Sequence, residues 1–206
     1  MNDSAIEKAK EYFYKKEYDK ALPLFLEAED FYGAGLSSLL LEDVEGARKY
    51  WKKKKNNCPA SDFGLCVLDF IKLKEGKLPT FFQTRAQLEI YLNLFIENNL
   101  IEYAENLISS CDKFYMSNPE AYKFIARALF SNGYCKLAIT FCKKTLKLYY
   151  CDPEAFLILA QCYFLLGDLG EALDCVNRTI AMVPEYYPAK LLKNVLKEEI
   201  DKKRNR

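Results

Sequence analysis

Residues 118–138 read NPEAYKFIARALFSNGYCKLA and residues 152–172 read DPEAFLILAQCYFLLGDLGEA. The two stretches share few letters and one layout: an Asx-Pro-Glu-Ala opening, a run of large and small apolar residues, a glycine (Gly133, Gly167) and then an alanine (Ala138, Ala172). Ala104, Ala138 and Ala172 follow one another at intervals of 34 residues, so three consecutive units share one period. An internal repeat of this length marks a chain built from one supersecondary unit used several times.

Within each unit the apolar spacing is helical. Tyr122, Ile125, Ala126 and Leu129 fall at i, i+3, i+4 and i+7, as do Phe156, Leu159, Ala160 and Tyr163, and Leu88, Tyr91, Leu92 and Phe95. A break at Asn98-Asn99, Asn132-Gly133 or Gly167-Asp168 precedes a second helix, whose inner face carries Ala138, Ile139, Cys142 and Thr145 in one unit and Ala172, Leu173, Val176 and Thr179 in the next. Gly and Asn tolerate the left-handed backbone that ends a helix, so the chain reverses in a few residues. Pro119 and Pro153 are predicted at the first helical position, where a missing N–H costs nothing, with Asn118 and Asp152 as N-caps. Pro184 closes the last unit.

These residues resemble a tetratricopeptide repeat: about 34 residues per helix-turn-helix, a small residue in the first helix facing an Ala in the second, and a Pro at the repeat end. The N-terminal segment resembles it too, through Ala9 and Tyr12, then Ala21, Phe25 and Ala28; a looser unit follows with Gly35, Ala47, Trp51 and Pro59. The resemblance implies an all-α, tetratricopeptide-type α-solenoid of about five hairpins. We divide it into N-terminal hairpins (1–59), an irregular helix and turn (60–79), three consecutive units (80–184) and a capping helix with a basic tail (185–206). Residues 60–79 read as one amphipathic helix with no matching partner. Residues 186–201 carry Ala189, Leu192, Val195, Leu196 and Ile200 as the apolar face of a helix that covers the last hairpin.

Composition narrows the chemistry. Half of the 206 residues are hydrophobic and the 30 basic and 29 acidic side chains leave a net charge of +1, so no overall field draws the chain to nucleic acid or an anionic membrane. The chain has no histidine, which excludes Ser-His-Asp and Cys-His nucleophiles and histidine-ligated metals. Eight cysteines lie mostly in helical apolar patterns without a C-x-x-C pair, and are expected as reduced core residues. GDLGEA (167–172) is a helix-helix turn and not a phosphate loop, and paired acids such as Glu198-Glu199 lie on charged helix faces. No enzyme activity, cofactor or metal is expected. The charged N-terminus and the lack of a long apolar window predict a cytoplasmic chain without a membrane span.

In the family that the chain resembles, the first helices of successive repeats line a concave groove, and ligands meet the helix face beside the packing stripe. At 100° per residue that face is Glu89, Asn93 and Ile96 (with Ala86) in one unit, Lys123, Arg127 and Phe130 (with Glu120) in the next, and Leu157, Gln161 and Phe164 (with Glu154) in the third. In the first hairpin it is Asp3, Ile6, Lys10 and Phe13. Lys123 and Arg127 at i, i+4 form a cationic spot between carboxylates, and a large apolar residue closes each strip. Such a surface suits a peptide with apolar anchors and a carboxylate. The Lys, Asn and Arg set by which some family members hold chaperone C-termini is matched at too few positions to carry over. The basic run RKYWKKKK (48–55) could meet single-stranded nucleic acid, but it falls at a helix end, where cations meet the negative end of the helix dipole. The expected function is therefore a protein–protein interaction module or scaffold that binds a peptide or partner protein. Single-stranded RNA binding and a dedicated secretion-type chaperone are the alternatives.

Overall fold

The computed structural model describes residues 3–53 and 58–204, and every regular element among them is an α-helix, thirteen in all. The chain divides into two units. Unit 1 comprises residues 1–87 and 94–118. It holds α1 (Asp3–Tyr14), α2 (Tyr18–Glu27), α3 (Phe31–Leu40), α4 (Val44–Lys53), α5 (Pro59–Phe70), both ends of α6 (Phe81–Glu97), α7 (Ile101–Ser109) and α8 (Cys111–Ser117). Unit 2 comprises residues 88–93, from the middle of α6, and 119–206. It holds α9 (Ala121–Ser131), α10 (Cys135–Leu148), α11 (Pro153–Leu165), α12 (Leu169–Met182) and α13 (Tyr187–Arg204). Within the units α1 packs on α2, α3 on α4, α9 on α10 and α11 on α12, and each hairpin packs on the next, which is the tetratricopeptide-type α-solenoid arrangement.

One backbone device recurs at seven helix ends among the described residues. Gly133 and Gly167 both have φ of +82°, and Asn99 has φ of +59°, as the sequence predicts. Lys16, Glu29, Glu42 and Leu73 take the same left-handed conformation with φ between +51° and +62°, although nothing in their side chains favours it. In each case the next residue's N–H donates back to a carbonyl five residues earlier: Glu17 to Tyr12, Asp30 to Phe25, Asp43 to Ser38, Lys74 to Asp69, Leu100 to Phe95, Tyr134 to Leu129 and Asp168 to Tyr163, all at 2.8–2.9 Å. This is the Schellman closure, which satisfies carbonyls that a helix end otherwise leaves without partners.

Small residues set how closely the paired helices approach. Ala9, Ala21, Ala34 and Ala47 in unit 1 and Ala126, Ala138, Ala160 and Ala172 in unit 2 are fully buried. In α3 the approach is tighter still: a Cβ on Gly35 would lie 2.1 Å from the indole nitrogen of Trp51, which is itself fully buried and donates to the Tyr32 carbonyl at 3.2 Å. Tertiary geometry thus explains the glycine that opens the looser N-terminal repeat.

Three local differences from the sequence reading stand out. Helix α9 begins at Ala121, two residues later than Asn118-Pro119 predicts, and Glu120 before it makes no side-chain capping bond. Asn118 is fully buried, and its amide nitrogen donates instead to the Phe81 carbonyl at 3.2 Å. Asp152 does cap α11, accepting from the Ala155 N–H at 2.9 Å, with Pro153 at the first helical position. The second helix of the unit that starts at α6 is broken at Ser110 into α7 and α8.

Helix α5 covers the first part of the predicted irregular segment. Arg48 of α4 pairs with Asp69 of α5 at 2.8 Å, and Asn106 of α7 donates to the Ile71 carbonyl at 2.9 Å. The chain then runs without helix until Thr80, whose hydroxyl and Gln83 form a reciprocal capping box at the start of α6.

The turn geometry sets opposite expectations for two substitutions. Gly133→Ala is expected to destabilise unit 2 by about 1–2 kcal/mol, because the added methyl meets no neighbour and only the left-handed backbone resists it. Glu42→Gly is expected to be neutral or stabilising by up to about 1 kcal/mol in chemical denaturation, since it removes the same strain.

Candidate functional site in unit 2

The strip predicted from helical spacing is held by an ion-pair network with Lys123 at its centre. The Lys123 side chain is only 8% exposed, and its Nζ lies 2.9 Å from Glu120 Oε1, 2.9 Å from Asp152 Oδ2 and 3.2 Å from Glu154 Oε2. Burial alone would lower its pKa, but hydrogen bonds to Asp152 and Glu120 outweigh that and raise it well above the ordinary 10.5, so the ammonium stays charged. Asp152 therefore does two jobs, capping α11 with one oxygen and holding Lys123 with the other.

Arg127, one turn further along α9, joins three first helices. Its Nε donates to Glu89 Oε2 of α6 at 2.9 Å and its Nη1 to Glu154 Oε1 of α11 at 2.6 Å. Burial opposes its charge and the two carboxylates restore it, with a net upward shift. A second link runs in the same direction: Asn132 at the end of α9 donates to Asn93 of α6 at 2.8 Å.

This geometry corrects the sequence reading in one respect. The cations at 123 and 127 are not an open positive spot awaiting a ligand carboxylate. They are already matched by four carboxylates, Glu89, Glu120, Asp152 and Glu154, so the cluster carries a formal surplus of two negative charges. Sequence spacing placed Lys123 on the strip beside the packing stripe of α9 and missed Asp152 as its partner. The Asx before Pro153 reads as a cap from sequence, and nothing local shows that its second oxygen reaches a lysine 29 residues away.

The other predicted residues separate into two groups. Leu157 is 7% exposed and packs in the core of unit 2. Phe130, Gln161 and Phe164 are half-buried, each with part of its surface open to solvent. Ile96, also half-buried, counts with unit 1. In the first hairpin the strip is used internally: Phe13 meets the rings of Tyr18 and Phe25 edge-on at 5.1 and 6.1 Å, and Lys10 pairs with Glu7 at 2.9 Å. The Asp3 side chain lies outside the described residues.

The basic run offers little for base stacking. Trp51 is fully buried, Arg48 is paired with Asp69, and the Lys53 ammonium sits 5.0 Å from the Phe31 ring. Lys54 and Lys55 lie outside the described residues.

All eight cysteines are free. Six are buried, but Cys58 is half-buried and Cys151 is exposed in the loop after α10, unlike the core positions expected from the sequence. Burial pushes the Cys66 and Cys175 thiols up to about 11 and that of Cys162 to about 12, so they remain protonated and unreactive near neutral pH. Among the described residues no group of three or more His, Cys, Asp or Glu side chains is arranged to hold a metal ion. Among the same residues no helix is long and apolar enough to cross a membrane.

Repeat period, Schellman turns and buried small-residue contacts together define an α-solenoid of the tetratricopeptide fold type. No protein-family model and no curated protein matches the sequence. Among solved structures the chain is similar to YrrB, described as a TPR protein with an unusual peptide-binding site, at 14% identity over 92% of this chain and 90% of that one, with a TM-score of 0.45. It is also similar to the TPR domain of P58(IPK), at 18% identity over 95% of this chain and 64% of that one, with a TM-score of 0.41. A further similar structure is a thermophilic TPR protein of Thermus thermophilus, at 17% identity over 95% of this chain and 98% of that one, with a TM-score of 0.37.

Two measurements test this description. Lys123→Met leaves partly buried carboxylates without their cation and is expected to cost about 3 kcal/mol of stability in denaturant titration. Because the folded pKa of Lys123 lies above its unfolded value, its contribution is fully present below pH 10.5 and is lost as pH rises through the folded pKa. The gap between wild type and Lys123→Met should therefore be flat from about pH 7 to 9 and close only in strong alkali. In thiol titration of the native protein, Cys151 should react first, and the six buried cysteines only on unfolding.

Proposed function

We propose that the chain is a protein–protein interaction module that binds a segment of a partner protein along the first helices of unit 2. The observation that carries this reading is the bridging of α6, α9 and α11 by one side chain, Arg127, which fixes three helices as neighbours before any partner arrives. A surface held in this way loses little conformational entropy on binding. Phe130 and Phe164 supply partly open aromatic faces, Asn93 and Gln161 supply amide donors and acceptors, and the surplus of carboxylates selects the partner's charge. The segment bound is one with apolar anchors and at least one Lys or Arg side chain.

Selection from a random peptide library displayed on phage tests the proposal. Wild-type protein should enrich peptides that combine large apolar residues with Lys or Arg. Phe130→Ala and Phe164→Ala should each weaken a selected peptide about tenfold, while the circular dichroism spectrum stays unchanged. Enrichment of acidic peptides, or equal binding by the wild type and both variants, would contradict it.

A further inference from the structure

No acidic residue occurs from Ala121 to Cys151, a span that holds six cations. The near-zero net charge of the whole chain hides this local excess. Lys123 and Arg127, on α9, are matched by carboxylates from outside the span. The other four, Lys136, Lys143, Lys144 and Lys147, lie on α10, which has no acid of its own. Lys144 is held over the rings of Tyr122 and Phe141 at 5.2 and 5.1 Å. Lys136, Lys143 and Lys147 are exposed and form no ion pair among the described residues, unlike Lys10, Lys15, Lys20 and Lys202, each of which pairs with a glutamate three or four residues earlier.

At 100° per residue these three lysines lie within about 40° of one another, in a line along the helix with rises of about 10 and 6 Å between them. The buried Ala138, Cys142 and Thr145 lie roughly opposite. The line therefore faces solvent on the side of α10 turned away from its packed core, and it shares no residue with the strip on α9 and α11.

Open aromatic rings mark both ends of the line. Past the last turn Tyr149 and Tyr150 are 44% and 81% exposed. At the first turn Lys136 and the 43% exposed Tyr134 share a recess of about 480 Å³ with Leu137, Leu165 and Leu166. A row of unpaired lysines tracks a phosphate backbone, and a solvent-facing ring gives an unpaired base a surface to stack on. A run of carboxylate side chains would satisfy the lysines and leave the tyrosines unused. Bases inside a duplex are already stacked on their neighbours and have no face to offer.

We propose that the outer face of α10 is a binding site for single-stranded nucleic acid, with phosphates on Lys136, Lys143 and Lys147 and bases on Tyr150 and Tyr134. The basic run at 48–55 lacks this pairing of features, because its Trp51 is buried. The site stands or falls independently of what the strip on α9 and α11 binds.

Fluorescence anisotropy of a labelled oligouridylate of about ten nucleotides, titrated with the full chain, tests the proposal. Three phosphate contacts predict a log–log salt slope of about −2, so affinity should fall about twentyfold between about 50 and 200 mM salt. Replacing all three lysines (Lys136→Gln, Lys143→Gln, Lys147→Gln) keeps good helix formers on an exposed face, and should weaken binding at least about tenfold and bring the slope close to zero. Tyr150→Ala should weaken binding about fivefold at unchanged slope. No binding at about 50 mM salt, or binding that the triple variant retains in full, would overturn the proposal. Binding that the triple variant loses, but that Tyr150→Ala leaves unchanged or that polyglutamate at equal charge displaces fully, would overturn the choice of nucleic acid and give the face to an acidic protein segment.

Discussion

The left-handed residue that ends each first helix is the constraint on which the rest of the chain depends. With φ near +60° to +80°, it lets the following N–H reach back to a helix-terminal carbonyl, and the chain reverses in about three residues. A longer connection would let the two helices slide along each other. The short one fixes their register, so that Ala126 meets the helix carrying Ala138, and Ala160 the helix carrying Ala172, at full burial. Glycine makes this conformation at low cost in unit 2. Unit 1 makes it with Lys16, Glu29 and Glu42, at a cost that packing of the surrounding helices must offset.

Register, in turn, determines what the first helices present. Once α6, α9 and α11 are aligned, residues at matching positions become lateral neighbours, and Arg127 reaches a glutamate on either side. The site is thus a consequence of the repeat period acting across helices. Its electrostatics follow from burial: Lys123 enters a nearly closed position only because Asp152, Glu120 and Glu154 converge on it, and removing the lysine takes its cation from the largely buried Asp152. What remains open to solvent is aromatic, amide and acidic.

Much of this was legible in the sequence, for reasons that differ by position. The hairpins were readable because helical spacing and the 34-residue period are both local signals. The turns at Asn99, Gly133 and Gly167 were readable because those residues favour left-handed backbone, while Glu42 and Lys16 give no such sign. The spacing of Lys123 and Arg127 on α9 was legible but the accessibility of Lys123 was not. Whether Lys123 is solvated or buried depends on Asp152, whose proximity is a product of hairpin stacking and not of anything near residue 123. Trp51 shows the converse, since its need for Gly35 explains an aromatic within a basic run without any nucleic acid. The late start of α9 follows from Asn118, whose side chain is tied to the Phe81 carbonyl rather than read by local spacing alone.

The most direct test of the central claim is hydrogen–deuterium exchange of the chain, free and saturated with a selected basic, apolar peptide. If the first helices of unit 2 are the preformed binding face, added protection should fall on α9 and α11, with α10 and α12 unchanged and no new helix ordered on binding. Protection on α10 and α12, or on unit 1 alone, would contradict it, and would mean that the Arg127 network serves to hold the repeats together rather than to present a face.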